Sequence, residues 1–298
     1  MGMTFKEYQE VKAINASFLK SCSFGEYAGY MYLNQPPYES KSMAIGTAIH
    51  AALLEPHSFS DQVAIIPTKE SHPNALDTLD DYKAMATKLG LKTSGTKDKL
   101  KAAILEVEPK VDFWDDTVAF FHEANKHKLV IDLETAKKVD LCVRKAREIP
   151  LVKEALNSFL PEQSFVWDSI AGKMKARLDL VNFDAGIIID VKTTGKSADQ
   201  ASVVKQLIDL RYDIQFYHYC EALKAHGVNC PKVYVIYIET ETGETAIYDV
   251  NAFMRSDFTE VRYIDSIYTA QKVLNLKECP PKYPRAIVNL GLPAWIKE

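Results

Sequence analysis

Apolar residues recur along the chain with two different periods, and the change of period near residue 160 divides it. Before that point the spacing is helical. Phe5 to Ile14 predicts a first helix, and a second opens at Asn15 or Ser17 as a capping residue, with Phe18, Leu19 and Tyr27 as its apolar members. Pro36-Pro37 breaks it. Ser42 to Leu54 (SMAIGTAIHAALL) predicts another helix, rich in small residues that permit close packing and stopped by Pro56. A short apolar run from Gln62 to Pro67 predicts a strand, and Ser71 to Pro73 a loop. Leu79 to Glu108 reads as helix, glycine-containing turn and helix, closed by Pro109. Asp132 to Phe159 reads as one or two amphipathic helices interrupted at Pro150.

In the second half strands concentrate. Ser164 to Ser169, Lys173 to Phe183 and Gly186 to Thr193 alternate or run apolar, and the turns Ile170-Ala171-Gly172 and Asp184-Ala185-Gly186 join them into a tight antiparallel meander. A helix from Ala198 to His226 follows, then strands Lys232 to Glu239 and Glu244 to Val250, and a long helix from Asn251 to Leu276. The order predicts a mixed α/β (α+β) domain with a central sheet flanked by helices. Three parts are expected: an N-terminal helical part at 1–78, a helical insert at 79–108, and the core at 109–298. No internal repeat or low-complexity tract is visible.

Composition narrows the class. A chain of 298 residues with 47% hydrophobic residues can bury a substantial core. The longest apolar runs, Gly186 to Val191 and Val233 to Ile238, are far short of the roughly 20 residues that span a bilayer. No basic stretch followed by an apolar one opens the sequence, so the expectation is a soluble cytoplasmic protein with no membrane association. Five cysteines, at positions 22, 142, 220, 230 and 279, are scattered and never form CxxC, which predicts reduced thiols. The net charge of -4 argues against a protein coated in nucleic acid, although a local basic groove can still bind phosphates. The insert offers one: between Lys83 and Lys101 six lysines stand against a single acid, Asp98.

The candidate chemistry lies at Asp190-Val191-Lys192. Residues two apart on a strand share a face, so the Asp190 carboxylate and the Lys192 ammonium project together while Val191 points into the opposite layer. The hairpin through Asp184 to Gly186 brings Asp179 alongside Asp190. Converging carboxylates raise one another's pKa, and a divalent cation removes that objection. All-oxygen ligands suit Mg²⁺ or Mn²⁺, which acidifies water and stabilises charge developing on phosphate. Lys192 could then orient or deprotonate the attacking water, or neutralise the phosphate. An Asp-x-Lys pair on a strand edge is also common as a solvated ion pair.

Four ordered pieces change that balance: Gly46-Thr47-Ala48-Ile49-His50, Lys175-Ala176-Arg177-Leu178-Asp179, Ile189-Asp190-Val191-Lys192-Thr193-Thr194, and Gln215-Phe216-Tyr217-His218-Tyr219. With these the sequence resembles the PD-(D/E)xK nuclease superfamily, and within it the RecE-like (exonuclease VIII) and RecB-type nucleases of bacteria and phages. The resemblance covers most of the chain from Ser42 to Tyr219, and the strand at 232–239 completes the expected restriction-endonuclease-like core. It implies one or two metal ions per site, held by His50, Asp179, Asp190 and the Val191 carbonyl. It also implies catalytic roles for Lys192, Gln215 and Tyr219, and for Glu162 as an additional acid supporting a second metal. Gln215 and Tyr219 are one helical turn apart and share a face. Arg177 and Thr194 are expected to contact DNA.

Leu89-Gly90-Leu91, Gly95-Thr96-Lys97 and Lys99-Leu100 resemble a SAP-type DNA-binding motif, which implies phosphate contacts from Lys92, Lys97 and Lys99. A solvated helical hairpin is the alternative. The resemblance as a whole implies a phage or prophage exonuclease acting on double-stranded DNA ends, 5′ to 3′, as a ring-shaped homo-oligomer that leaves single strands for an annealing protein. Two rivals stand beside it. A Cas4-like or AddB-like nuclease needs four cluster-binding cysteines, which the scattered cysteines disfavour. A catalytically silent DNA-binding protein would have kept the fold alone.

Overall fold

The computed structural model of the chain describes residues 3–36, 40–229, 231–283 and 285–286. Pro37 of the Pro36-Pro37 break and Cys230 lie outside the described residues. The backbone forms two compact units, the first made of Met1–Ser40, Lys145–Glu239 and Glu244–Glu298, the second of Lys41–Arg144 and Thr240–Gly243.

The first unit opens with α1 (Phe5–Glu10), α2 (Ala16–Cys22) and α3 (Glu26–Asn34). The second contains α4 (Lys41–Leu54), α5 (Phe59–Gln62), β1 (Val63–Ile65), α6 (Leu79–Lys88), α7 (Lys97–Val107), α8 (Trp114–Ala124) and β2 (Leu129–Ile131). Along α9 (Leu133–Glu148) the chain passes back to the first, which continues with α10 (Pro150–Ser158), β3 (Leu160–Ser169), β4 (Gly172–Asn182) and β5 (Ile187–Thr194). Then come α11 (Gln200–Asp209), α12 (Tyr212–Ala225), β6 (Lys232–Glu239), β7 (Thr245–Asp249), α13 (Asn251–Met254) and α14 (Asp257–Leu274).

A five-stranded mixed sheet in the order β3-β4-β5-β6-β7 organises the first unit. The expected meander of β3, β4 and β5 is antiparallel, β5 and β6 run parallel, and β7 returns antiparallel to β6. A parallel pair needs a crossover, and α11 with α12 supplies it. Period-two alternation gives the sheet two different faces. On one, Leu178, Ile188, Val233, Val235 and Tyr237 pack with Phe216, Tyr219 and Leu223 of α12 and with Val203 and Leu207 of α11. On the other, Ile187, Ile189, Tyr234, Ile236 and Ile247 and α10 line an apolar cavity of about 300 Å³. A second cluster joins Ile14, Phe18, Leu19 and Cys22 to Tyr263, Ala270 and Val273 of α14. Fully burying a valine, leucine, isoleucine or phenylalanine in these clusters contributes about 1.5–3 kcal/mol. This is the mixed α/β architecture expected from the element order, and it is consistent with the restriction-endonuclease-like core that the resemblance implies.

Several boundaries differ from the sequence reading. The first helix ends at Glu10 rather than Ile14, because the Ile14 amide donates to the Lys173 carbonyl and its carbonyl accepts from the Lys175 amide. Lys175 then caps that helix, donating to the carbonyls of Tyr8 (2.9 Å) and Val11 (2.8 Å). The helix expected from Asn15 onward is two, α2 and α3, separated at Gly25, whose φ of 110° suits a residue without Cβ. The helix expected over 198–226 is also two, parted at Arg211, which adopts a left-handed conformation with no glycine or proline to announce it. The last helix breaks before Ser256, whose hydroxyl caps α14 by accepting from the Thr259 amide. Elements α8 and β2 were not expected, and β2 pairs parallel to β1. Among the described residues no helix is long and apolar enough to cross a membrane.

His218 anchors α12 to the sheet from a fully buried position. Its Nε2 lies 3.0 Å from the Lys175 carbonyl, which only accepts, so Nε2 carries the proton and Nδ1 accepts from the Tyr263 hydroxyl at 2.9 Å. Burial pushes its pKa down to about 4. The folded value lies below the unfolded one, so the stability His218 contributes is present above about pH 6.5 and is lost as pH falls through about 4. The loss amounts to about 3 kcal/mol. Urea unfolding between pH 7 and 4 is expected to show this extra decline in the native protein and not in His218→Gln; equal slopes would assign the acid sensitivity elsewhere.

Candidate active site

The β4–β5 ladder pairs Asn182 with Ile187, Val181 with Ile188 and Leu180 with Ile189, and then stops. The next positions outward are Asp179 and Asp190. Here the strands part, and the Asp179 carboxylate replaces a backbone carbonyl, its Oδ2 accepting from the Val191 amide at 2.7 Å. Asp190 is fully buried. Its Oδ2 lies 2.5 Å from Lys192 Nζ, and its Oδ1 accepts from Gln215 Nε2 at 3.3 Å. Asp190 and Lys192 therefore both face α12, as their spacing of two requires.

Glu162 enters from β3 with a left-handed φ of 54°. The β3–β4 ladder pairs Pro161 with Leu180 and Gln163 with Leu178 but omits the step between, where Glu162 stands opposite Asp179. Such a backbone costs on the order of 1–3 kcal/mol and persists where its surroundings hold it. Carboxylate oxygens of Glu162 and Asp179 come within 4.8 Å of each other. Arg177 is the counterweight: its Nε lies 2.5 Å from Glu162 Oε2, its Nη1 donates to Ser164 Oγ at 3.1 Å, and the Phe5 ring lies 5.1 Å from the guanidinium.

From α12, Gln215 Nε2 also donates to the Tyr219 hydroxyl at 2.7 Å, and Gln215 Oε1 accepts from Lys20 Nζ at 3.2 Å. A lysine only donates, so the amide oxygen must face Lys20 and the NH₂ must face Asp190 and Tyr219. Burial raises the Tyr219 pKa well above the ordinary range, and the charges of Asp190 and Asp179 add to this. For Lys192 burial works against the ammonium, but Asp190, Tyr212 and Asp179 together hold its pKa above the usual lysine value. Burial and the charge of Lys192 bring Lys20 down to about 8, against the pull of Asp190. The sequence reading missed Lys20. Only its place one turn after the Asn15 cap, next to the buried Phe18 and Leu19, hints that it points inward.

Thr194, nearly buried at the end of β5, accepts the Lys196 amide at 3.1 Å and closes a turn. His50 lies half-buried in α4 of the second unit, between the buried Ile49 and Ala51. In that unit α6 and α7 share a small core of Tyr82, Ala86, Leu100 and Ile104 with Phe113. Lys97 is held by Asp115 at 2.7 Å, whereas Lys92 and Lys99 are exposed.

The donor set fits a hard divalent cation. Glu162 and Asp179 bring carboxylate oxygens within 4.8 Å of each other beside the strand gap, Asp190 stands at the same gap against Lys192, and Arg177 is the other local positive charge. Residues 14–283 match the model of a family described as a PDDEXK-like domain of unknown function (DUF3799). The chain belongs to this family. As a PDDEXK-like domain it carries the fold of the nuclease superfamily that its motifs resemble. Solved structures similar to this domain include a candidate exonuclease from Eubacterium rectale, with 12% identity, a TM-score of 0.41, and coverage of 76% of this chain and 93% of that one. A phage-related exonuclease from Haemophilus somnus 129PT has 12% identity and a TM-score of 0.32, with coverage of 64% of this chain and 91% of that one. No curated protein is significantly similar to the chain.

Proposed function

We propose that the protein is a divalent-metal-dependent exonuclease that degrades linear double-stranded DNA from its ends, 5′ to 3′, and leaves single strands for an annealing partner. The observation that supports it most is the dry Asp190, bracketed by Lys192 and Gln215 at the gap where Asp179 takes the Val191 amide. Asp179, Asp190 and the Val191 carbonyl are the proposed ligands of Mg²⁺ or Mn²⁺, with His50 added by the resemblance and Glu162 serving a second ion. Such an ion supplies a Lewis acid for the phosphate and a lowered pKa for water. Lys192, held protonated by Asp190, offsets negative charge that develops on the phosphate. Gln215, its amide fixed by Lys20, orients the Asp190 carboxylate and Tyr219. Arg177, engaged by Glu162 and Ser164, steadies the second acid.

Digestion of linear duplexes labelled at the 5′ or the 3′ end, with a closed circle as control and EDTA as metal trap, tests this reading. Early loss of the 5′ label, with the circle intact and EDTA blocking the reaction, is the expected result. Cutting of the circle would make the enzyme an endonuclease, and binding without cutting would make it a silent relative. The ring-shaped homo-oligomer belongs to the same proposal and is read by sedimentation.

The insert is proposed to hold the duplex through Lys92 and Lys99, the exposed lysines of the SAP-like segment. Because Lys97 is occupied by Asp115, the triple change of Lys92, Lys97 and Lys99 to Ala should act mainly through the other two. Duplex binding is expected to weaken regardless of sequence, its salt slope falling by up to about 0.9 for each phosphate that a lysine no longer neutralises. An unchanged slope would make this segment a solvated hairpin.

A further inference from the structure

The catalytic face holds one more cation than the resemblance assigns. Lys20, in the last turn of α2, places its Nζ 3.2 Å from Gln215 Oε1 and 4.7 Å from the centre of the Tyr212 ring. Both partners are neutral, and among the described residues no carboxylate forms an ion pair with it. Lys192 stands over the same ring, also 4.7 Å from its centre, but has the Asp190 carboxylate at 2.5 Å. An ammonium carries three donors, and Gln215 takes one of those of Lys20. Withdrawing an ammonium from water beside another ammonium, without an anion, is costly. The fall of its pKa to about 8, through burial and the charge of Lys192, expresses that cost. The arrangement is relieved by an anion, and the reaction proposed above brings phosphates.

We propose that Lys20 is a phosphate-binding residue of this site: its free donors take an oxygen of one backbone phosphate of the nucleic acid, while Lys192 stays with Asp190 at the bond being cut. The inference rests on the nuclease reading. Tyr212 is the shared platform, since a ring face attracts both cations without supplying a competing carboxylate. Gln215 links the two: its oxygen sets the height of the Lys20 ammonium and its NH₂ reaches Asp190. A phosphate held at Lys20 is thereby in register with the carboxylate at the strand gap.

The test is a binding measurement on short DNA duplexes in EDTA, with gel analysis confirming that the strands stay intact. Each duplex carries one uncharged methylphosphonate linkage at a successive position near the end. The native protein is expected to lose affinity at a particular linkage, and Lys20→Met to bind the unmodified duplex roughly 10- to 100-fold more weakly. In that variant, neutralising the same linkage should cost nothing further. Lys20→Arg is expected to keep most of the affinity, which a purely structural role would not predict, and Lys20→Gln serves if the Met variant fails to fold. If a folded neutral variant binds the unmodified duplex as the native protein does, or keeps the native methylphosphonate profile, Lys20 does not contact phosphate. Digestion of unmodified duplex by the native protein with Mg²⁺ is read separately; its absence would overturn the nuclease reading itself.

Discussion

Asp190→Asn and Lys192→Met are each expected to lower the rate of DNA cleavage by roughly 10²- to 10³-fold or more, the scale on which single electrostatic groups act at a reacting centre. The reason is their mutual geometry. Asp190 is fully buried, and its two oxygens are divided between Lys192 and Gln215, so changing either charge removes a group held for one task. Each single change also leaves the partner charge without its counterpart in a dry site, which destabilises the surroundings. The double variant Asp190→Asn/Lys192→Met removes both charges together and separates chemistry from folding. It should melt close to the native protein and remain inactive. Single-turnover digestion at saturating metal, beside circular dichroism, checks this; near-native rates in a folded single variant would place the reacting centre elsewhere.

The largest expected effect on stability lies behind the site. Asp213 in the first turn of α12 is fully buried, and Arg262 of α14 stands 2.9 Å from it. The two are close as charges without being aligned as a hydrogen bond. Burial raises the Asp213 pKa, and Arg262 opposes the rise. Arg262→Met should cost about 3–5 kcal/mol, because a buried carboxylate is left uncompensated. Pairing it with Asp213→Asn should recover most of that. Urea titration of the two variants gives the comparison, and a cost below about 1 kcal/mol for the single change would show that apolar packing alone holds α12.

Asp190 and Lys192 are legible in the sequence because strand alternation is a strict period and an apolar strand ending in Asp-x-Lys has little freedom in where it sends them. Asp179 follows from the short hairpin between β4 and β5. Gln215 and Tyr219 follow from one helical turn. What sequence reasoning lacks is anything set by contacts across long separations. The break at Arg211 carries no glycine or proline, yet it starts α12 at the point where Tyr212 meets Lys20 and Lys192. The early end of α1 depends on β4, about 160 residues later, through the bonds of Ile14 and Lys175. Strand alternation likewise could not foresee that Glu162, turned by its left-handed backbone, would engage Arg177.

The packing of α2 against α14 has a consequence for how the protein is made. Phe18 and Leu19 leave the ribosome some 250 residues before Ala270 and Val273, which pack against them. At roughly 5–20 residues per second, α2 must wait many seconds for its partner, even if the meander has already formed. Lys20, carried on α2, can meet Gln215 only once some 195 further residues have been made. A nascent chain released before α14 emerges would therefore hold Asp179 and Asp190 on a sheet beside an α2 that lacks Tyr263, Ala270 and Val273 as cover. Synthesis stalled at successive lengths, followed by limited proteolysis of α2, would time that docking.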